Sequence, residues 1–495
     1  MKKYIKKILL AVISILFLAL IIIENPLRNN IYDWLAQKTE KFHALPKRKE
    51  YWMNIFVHGS FGSLLGFLSL TDVIKDNVEG TQYKKLTKGM RKNPHFYQNQ
   101  PMLEKGLVQI EPTFDLNQTK GNKLLAYPII KSYQTISDQT MPKHQVNHFY
   151  TYGWSGLLSL QRRQKESVRF FNELNEKIKE YQAKGINPKI RILAHSHGGN
   201  LVLNVAAINK ILNMNPEQIS NEQKLSEDEN ENETLVKIFA HLQKLAKSKQ
   251  EVKSTKGQKI WDYYPAQYPL IIDELVFYGT PIQPETEPFY FDKTFKKTYF
   301  FYSKEDHVQK ADWVSSKRLY SDQRFTYKEK FKNNPQVIQA KLMIGREIEN
   351  NKIKKIPDDK EEQPTENKNF LQRIFSNKKI FKQGMDPLHK DLWFVCWQQD
   401  TKKKEDLFGP LPVAVFTPIF IKAIENLDIN DVDINIDKLK NNYVISVIKH
   451  DDEKIQNQIN FDDQSIKEII PKFVLWQTPE DTKQKEFSII TNLLN

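Results

Sequence analysis

Residues Lys189–Asn200 place a serine where it could act as a nucleophile. An apolar stretch containing Ile190, Ile192 and Leu193 runs into Ala194-His195-Ser196-His197-Gly198-Gly199-Asn200, and the apolar run Leu201, Val202, Leu203 and Val205 follows. A strand that turns sharply into a helix at this point would hold Ser196 in a strained backbone and expose its hydroxyl. Residues two before and two after the serine then crowd together, which Ala194 and Gly198 allow, while Gly199 lets the helix approach the sheet. The helix start would aim N–H groups and positive dipole at an oxyanion. The chemistry such a serine could do is acyl transfer, provided that a base takes its proton and an acid orients the base.

The elements that must position it alternate in type. Strands are predicted at Met53–Val57, Val146–Trp154, Lys189–Ala194, Ile271–Tyr278, Thr298–Tyr302 and Val337–Ile344. Helices are predicted at Leu157–Tyr181, Gly198–Leu212 and Thr234–Lys247, the first ended by Gly185 and Pro188. This alternation implies an α/β fold with a mostly parallel sheet. Residues 80–145 are mixed and polar with no clean period, and Asn213–Glu233 reads as an acidic, Asn-rich loop. The expected organisation is a membrane segment at 1–24, a spacer at 25–50 and a main domain at 51–404. Insertions are expected at about 80–145, 213–265 and 325–380, and a C-terminal extension or subdomain at 405–495. In that tail Val413–Leu427 reads as a helix and Val432–Ile448 alternates in part, so it is either a small subdomain or a return to the sheet edge.

The formal net charge is +14, but the lysines are scattered among Glu, Asp and Asn without a zinc-finger or aromatic RNA-binding signature. This favours a solvated surface and no nucleic-acid partner. The single cysteine, Cys396, excludes an intrachain disulfide and reads as a small buried hydrophobe within Leu392–Trp397. No G-x-x-x-x-G-K-[ST] or G-x-G-x-x-G loop supports nucleotide chemistry, and no H-E-x-x-H set supports a metal. His58 could be read alone as a metal ligand, but no ligand motif accompanies it. No cofactor is expected.

Lys2, Lys3, Lys6 and Lys7 precede the uncharged apolar run Ile8–Ile23, which Glu24, Asn25 and Pro26 end. As a helix this run would be about 24 Å long, against a hydrocarbon core of about 30 Å, and Tyr4, Ile5 and snorkelling lysines could close the gap. Leu18-Ala19-Leu20 makes a poor cleavage site, so an uncleaved signal anchor is favoured over a signal peptide. Either places the rest of the chain across the membrane, with a cytoplasmic N-terminus if anchored and secretion if cleaved.

Four motifs resemble the α/β-hydrolase superfamily in its lipase/esterase-like branch: Phe56-Val57-His58-Gly59, Trp154-Ser155-Gly156, Ala194–Asn200 and Phe277-Tyr278-Gly279-Thr280-Pro281. The resemblance covers roughly residues 51–400, with interruptions. It implies a catalytic triad in the order Ser, acid, His. Asp306, after the Thr298–Tyr302 strand, looks like the family's acid, with Glu305 as the neighbouring alternative. His307, His389 and His450 follow. His307 adjoins the acid, His450 sits among charged residues that read as an exposed loop, and His389 leads into an apolar run similar to the family's catalytic-His loop. The resemblance also implies an oxyanion hole made by the N–H of His197 and by the Gly59-Ser60-Phe61 loop. The expected activity is hydrolysis of carboxylic esters, small or lipid, through an acyl-enzyme. Phe61–Leu70 could wall an acyl chain or form an ordinary core helix. A thioesterase or amidase with the same triad, or a non-catalytic binding protein on the same fold, are the alternatives.

Overall fold

In a computed structural model of the chain, the described residues are 49–60, 70–85, 87, 105–111, 126–214, 226–253, 269–310, 322–325, 331, 334–345, 348–349, 352–353, 386–387, 389, 392–393, 413–439, 442–450, 454–462 and 464. The expected membrane segment 1–24, nearly all of the spacer, Phe61–Ser69, Cys396 and most of the expected 325–380 insertion lie outside them. Among the described residues no helix is long and apolar enough to cross a membrane. The chain divides into two units between Glu50 and Tyr51. Apart from Glu50 itself, the strands and helices named below belong to the second unit.

The strands are β1 (Glu50–Val57), β2 (Gly106–Ile110), β3 (Gln145–Gly153), β4 (Lys189–His195), β5 (Ile272–Tyr278), β6 (Phe295–Tyr302), β7 (Val337–Ile344), the short pair β8 (Ile348–Glu349) and β9 (Lys352–Ile353), β10 (Asp431–Leu439), β11 (Asn442–Lys449) and β12 (Ile455–Asp462). The helices are α1 (Leu70–Ile74), α2 (Ala126–Thr140), α3 (Leu160–Ala183), α4 (His197–Leu212), α5 (Glu229–Lys253), α6 (His307–Lys310) and α7 (Thr417–Ile424). All strands except β8 and β9 form one ten-stranded sheet, ordered β12-β11-β10-β7-β6-β5-β4-β1-β3-β2. The block β10-β7-β6-β5-β4-β1 is parallel throughout. At one edge β11 pairs antiparallel with β10 and β12 with β11, and at the other β2 pairs antiparallel with β3.

The central strands are buried on both faces, so their side chains divide by alternation. Ile55, Val57, Ile192, Ala194, Leu275 and Phe277 enter one core, under α3, α4 and α5. Phe56, Leu193, Val276, Tyr278, Phe301 and Ala340 enter the other, under α2 and α7. Among the charges buried in this sheet, Arg191 is the least exposed. Arg191 of β4 is ion-paired with Glu274 of β5, donates to Tyr133 Oη at 3.0 Å and lies 4.4 Å over the Trp52 ring. Burial opposes the guanidinium's charge, but Glu274 and Tyr133 outweigh it and its pKa is raised. These contacts tie β1, β4, β5 and α2 together.

Two stretches depart from expectation, and the tail takes one of the two forms expected of it. Residues 80–145 contain β2, which pairs into the main sheet, and α2, whose Ile129, Tyr133, Ile136 and Thr140 form a buried helical stripe. The stripe mixes hydroxyl-bearing with aliphatic side chains, which hides its period. The loop expected at Asn213–Glu233 gives way to α5 at Glu229, because Asp228 Oδ1 accepts from the N–H groups of Asn230 and Glu231 and acidic residues suit the first turn. In the tail, β10 joins β7 in parallel and β11 and β12 extend the same sheet.

Candidate active site

β1 and β4 are parallel neighbours, yet the chain leaves β1 toward β3 and β2 while it leaves β4 toward β5, β6 and β7. A crevice at the carboxyl ends of the strands is expected where connections diverge in this way. Gly59 follows β1 and Ser196 follows β4, with Val57 in register with Ala194, so both loops meet there.

Ser196 has φ 51° and ψ −133°. Among the described residues the only other non-glycine with positive φ is Asp76. Such a conformation costs of the order of 1–3 kcal/mol and persists only where the surroundings enforce it. Here the Ser196 N–H donates to the Tyr278 carbonyl at 3.0 Å, its carbonyl accepts from Gly199 N–H at 2.9 Å, and glycines permit the close packing around it. A Cβ on Gly198 would lie 2.4 Å from the His58 carbonyl oxygen and 2.8 Å from that of Val57, so this glycine is required by the end of β1. A Cβ on Gly199 would lie 2.3 Å from Thr280 Oγ1 and 2.7 Å from the Phe277 ring, which shows how closely α4 approaches β5 and its loop. Asn200 pins the same junction, donating to the Pro281 carbonyl at 3.1 Å and accepting from Thr286 Oγ1.

Asp306 and His389, 83 residues apart, are brought together: His389 Nδ1 lies 2.7 Å from Asp306 Oδ2. Asp306 is fully buried and its other oxygen accepts from Gln309 N–H at 2.8 Å. An Nδ1–H donated to a carboxylate leaves Nε2 of the neutral ring as the basic atom. The pair sits against the end of β5, next to the serine's strand, since a Cβ on Gly279, at φ 56°, would lie 2.6 Å from Asp306 Oδ2 and 3.1 Å from His389 Nδ1. Among the described residues no hydrogen bond joins Ser196 to His389; such contacts often tighten only with substrate bound. Glu305 N–H bonds Ser303 Oγ at 3.3 Å on the same turn. His307 opens α6, and its side chain is outside the described residues. His450 is corrected from an exposed-loop residue to a partly buried one, its Nδ1 2.6 Å from Asp433 Oδ1 on β10.

Of the expected oxyanion donors, His197 opens α4, where a helix directs its first N–H groups out of its end. Gly59 is pressed against the serine, since a Cβ there would lie 2.7 Å from Ser196 Cβ, and Ser60 follows it. Phe61 is outside the described residues. Trp154 fixes this loop: its indole N–H donates to the His58 carbonyl at 2.7 Å and its backbone N–H to His58 Nε2 at 3.2 Å, with the two rings stacked. Nδ1–H of His58 therefore faces the Gly59 carbonyl, 2.7 Å away. Both ring nitrogens that could have bound a metal are engaged within the protein.

Sequence reasoning missed two parts. Gln323 Nε2 donates to the Asp306 carbonyl at 2.8 Å, and Gln309 Nε2 to the Thr280 carbonyl at 2.7 Å, which stabilise the acid's turn. His195 reads in the sequence as a mere flanking side chain of the elbow, yet it meets His389 and Trp393. Comparison with protein-family models, curated proteins and solved structures finds no significant match.

Proposed function

We propose that this chain is a serine hydrolase of the α/β-hydrolase type that cleaves carboxylic esters through an acyl-enzyme. The observation that carries the reading is the Asp306–His389 bond packed against the end of β5, whose Tyr278 carbonyl accepts from the N–H of a serine at positive φ. The strand order supports it, because the oxyanion loop, nucleophile and acid follow the parallel strands β1, β4 and β6, with only β5 intervening. Ser196 Oγ attacks the ester carbonyl while His389 Nε2 takes its proton and Asp306 holds the ring. The oxyanion that forms is met by N–H groups of His197 and the Gly59-Ser60 loop. Collapse expels the alcohol, which takes the proton from His389, and water then hydrolyses the acyl-serine by the same route. The apolar N-terminal run points to an anchored enzyme whose accessible substrates include lipid esters.

The test uses the full chain in detergent micelles with p-nitrophenyl esters of increasing acyl length. Turnover that Ser196→Ala abolishes is expected. Turnover equal in both forms would exclude Ser196 as the nucleophile, and turnover absent from both would leave the non-catalytic alternative standing. Selective cleavage of thioesters or amides would reassign the substrate class.

A further inference from the structure

His195 precedes the nucleophile at the end of β4, and its ring is enclosed by the segment that carries His389. Its Nε2 lies 3.0 Å from the backbone carbonyl of His389, 194 residues later. The indole of Trp393 stacks on it with centroids 5.5 Å apart and planes 7° from parallel, and the His389 ring centroid is 4.5 Å away. Trp393 also contacts Phe56 and Tyr278, at the ends of β1 and β5. His195 itself is buried. Burial, and next the neighbouring His389, push its pKa well below 6.5, so at neutral pH it is an uncharged ring with one proton. A carbonyl facing Nε2 places that proton on Nε2.

We infer that His195 is a positioning residue for the base: its Nε2–H holds the His389 carbonyl, and its ring face seats Trp393, so that the turn bearing His389 is docked on the strand that bears Ser196. This rests on the serine-hydrolase reading for its consequence, but the docking stands on geometry alone. The carboxylate fixes only one edge of the imidazole, whereas the backbone that carries the ring needs its own anchor. An Asp at that position could not donate, and a charged ring would be costly at this buried site against the face of Trp393.

Two variants of the full chain separate the parts. His195→Phe keeps a flat ring against Trp393 and removes the donor; His195→Gln restores a donor of similar reach. Ester hydrolysis and hydrogen exchange of peptides covering 386–393 are measured on both. For His195→Phe, kcat is expected to fall about 10- to 100-fold with KM within about twofold, since about 1 Å of misplacement can cost that much. Exchange over 386–393 should rise about tenfold while β4 and β5 stay protected, and His195→Gln should recover most of kcat. Unchanged kcat and exchange in His195→Phe would overturn the inference, as would a loss that His195→Gln shares in full. If the unaltered chain hydrolyses nothing, the serine-hydrolase reading fails. The exchange comparison then decides the docking by itself: faster exchange upholds it and unchanged exchange overturns it.

Discussion

Among the described residues, two aspartate–histidine pairs of nearly equal length stand in different surroundings. At the strand ends beside Ser196, His389 Nδ1 meets Asp306 Oδ2 at 2.7 Å. On the β7–β10 side of the sheet, His450 Nδ1 meets Asp433 Oδ1 at 2.6 Å. Asp306 is fully buried and accepts otherwise from a backbone N–H. Asp433 is shared with Lys341 at 2.6 Å, and His450 Nε2 faces the Arg324 guanidinium at 3.0 Å, which pairs in turn with Asp431 at 3.2 Å. A ring whose second nitrogen accepts from a guanidinium cannot take a proton from a substrate or a serine. The bond length is therefore uninformative; what differs is whether Nε2 is engaged by a fixed cation and whether a serine at positive φ stands nearby. The second pair joins a charge network that links the residue following β11 to β10 and β7.

The two pairs are told apart most directly by substitutions of Ser196 and of the two histidines. Ser196→Ala is expected to lower kcat by about 10⁶-fold, and His389→Ala by a comparable factor, whereas His450→Ala should leave kcat within about threefold. A large loss in the last would make the second pair functional. Next come the carboxylates. Asp306→Asn should lower kcat by about 10⁴-fold by holding the wrong tautomer. Asp433→Asn should instead lower the melting temperature, because Lys341 loses its counter-charge while its side chain is 10% exposed. A third variant probes crowding. Gly59→Ala places a methyl 2.7 Å from Ser196 Cβ, and a loss of about 10²-fold or more in kcat is expected, measured beside circular dichroism to confirm folding.

The smallest effect is on stability against pH. His195 keeps a folded pKa well below its unfolded value of 6.5, through burial and then His389. His241 of α5 is lowered to about 4 by burial and then by Lys165 and Lys244. Below pH 6.5 the unfolded chain binds protons that these folded rings refuse. Their contribution is therefore fully present above that pH and declines as pH falls, down to about 4 for His241. Denaturation midpoints at pH 8 and pH 5 should show the decline, and His195→Phe should flatten it.

Legibility in the sequence depends on which contacts are local. β1, β4, β5 and β6 are apolar runs that stop at turns, and the Ala194–Asn200 elbow is fixed by neighbours along the chain, so each could be read directly. Asp306 and His389 could be named only through the family resemblance, because their meeting depends on a gap of 83 residues. β2 is five residues long in a polar stretch, and α2 hides its stripe among Tyr and Thr, so neither shows a simple period. The partners of His195 and His450 depend on sheet register and long-range docking, which spacing alone does not encode.

We propose Ser196 as a nucleophile activated by His389. Incubation of the full chain with a fluorophosphonate, followed by intact mass and peptide mapping, tests it most directly. A single adduct on Ser196 is expected, forming at least about 10³-fold more slowly in His389→Ala and at an unaltered rate in His450→Ala. No adduct, an adduct elsewhere, or equal rates in the intact chain and His389→Ala would contradict the account.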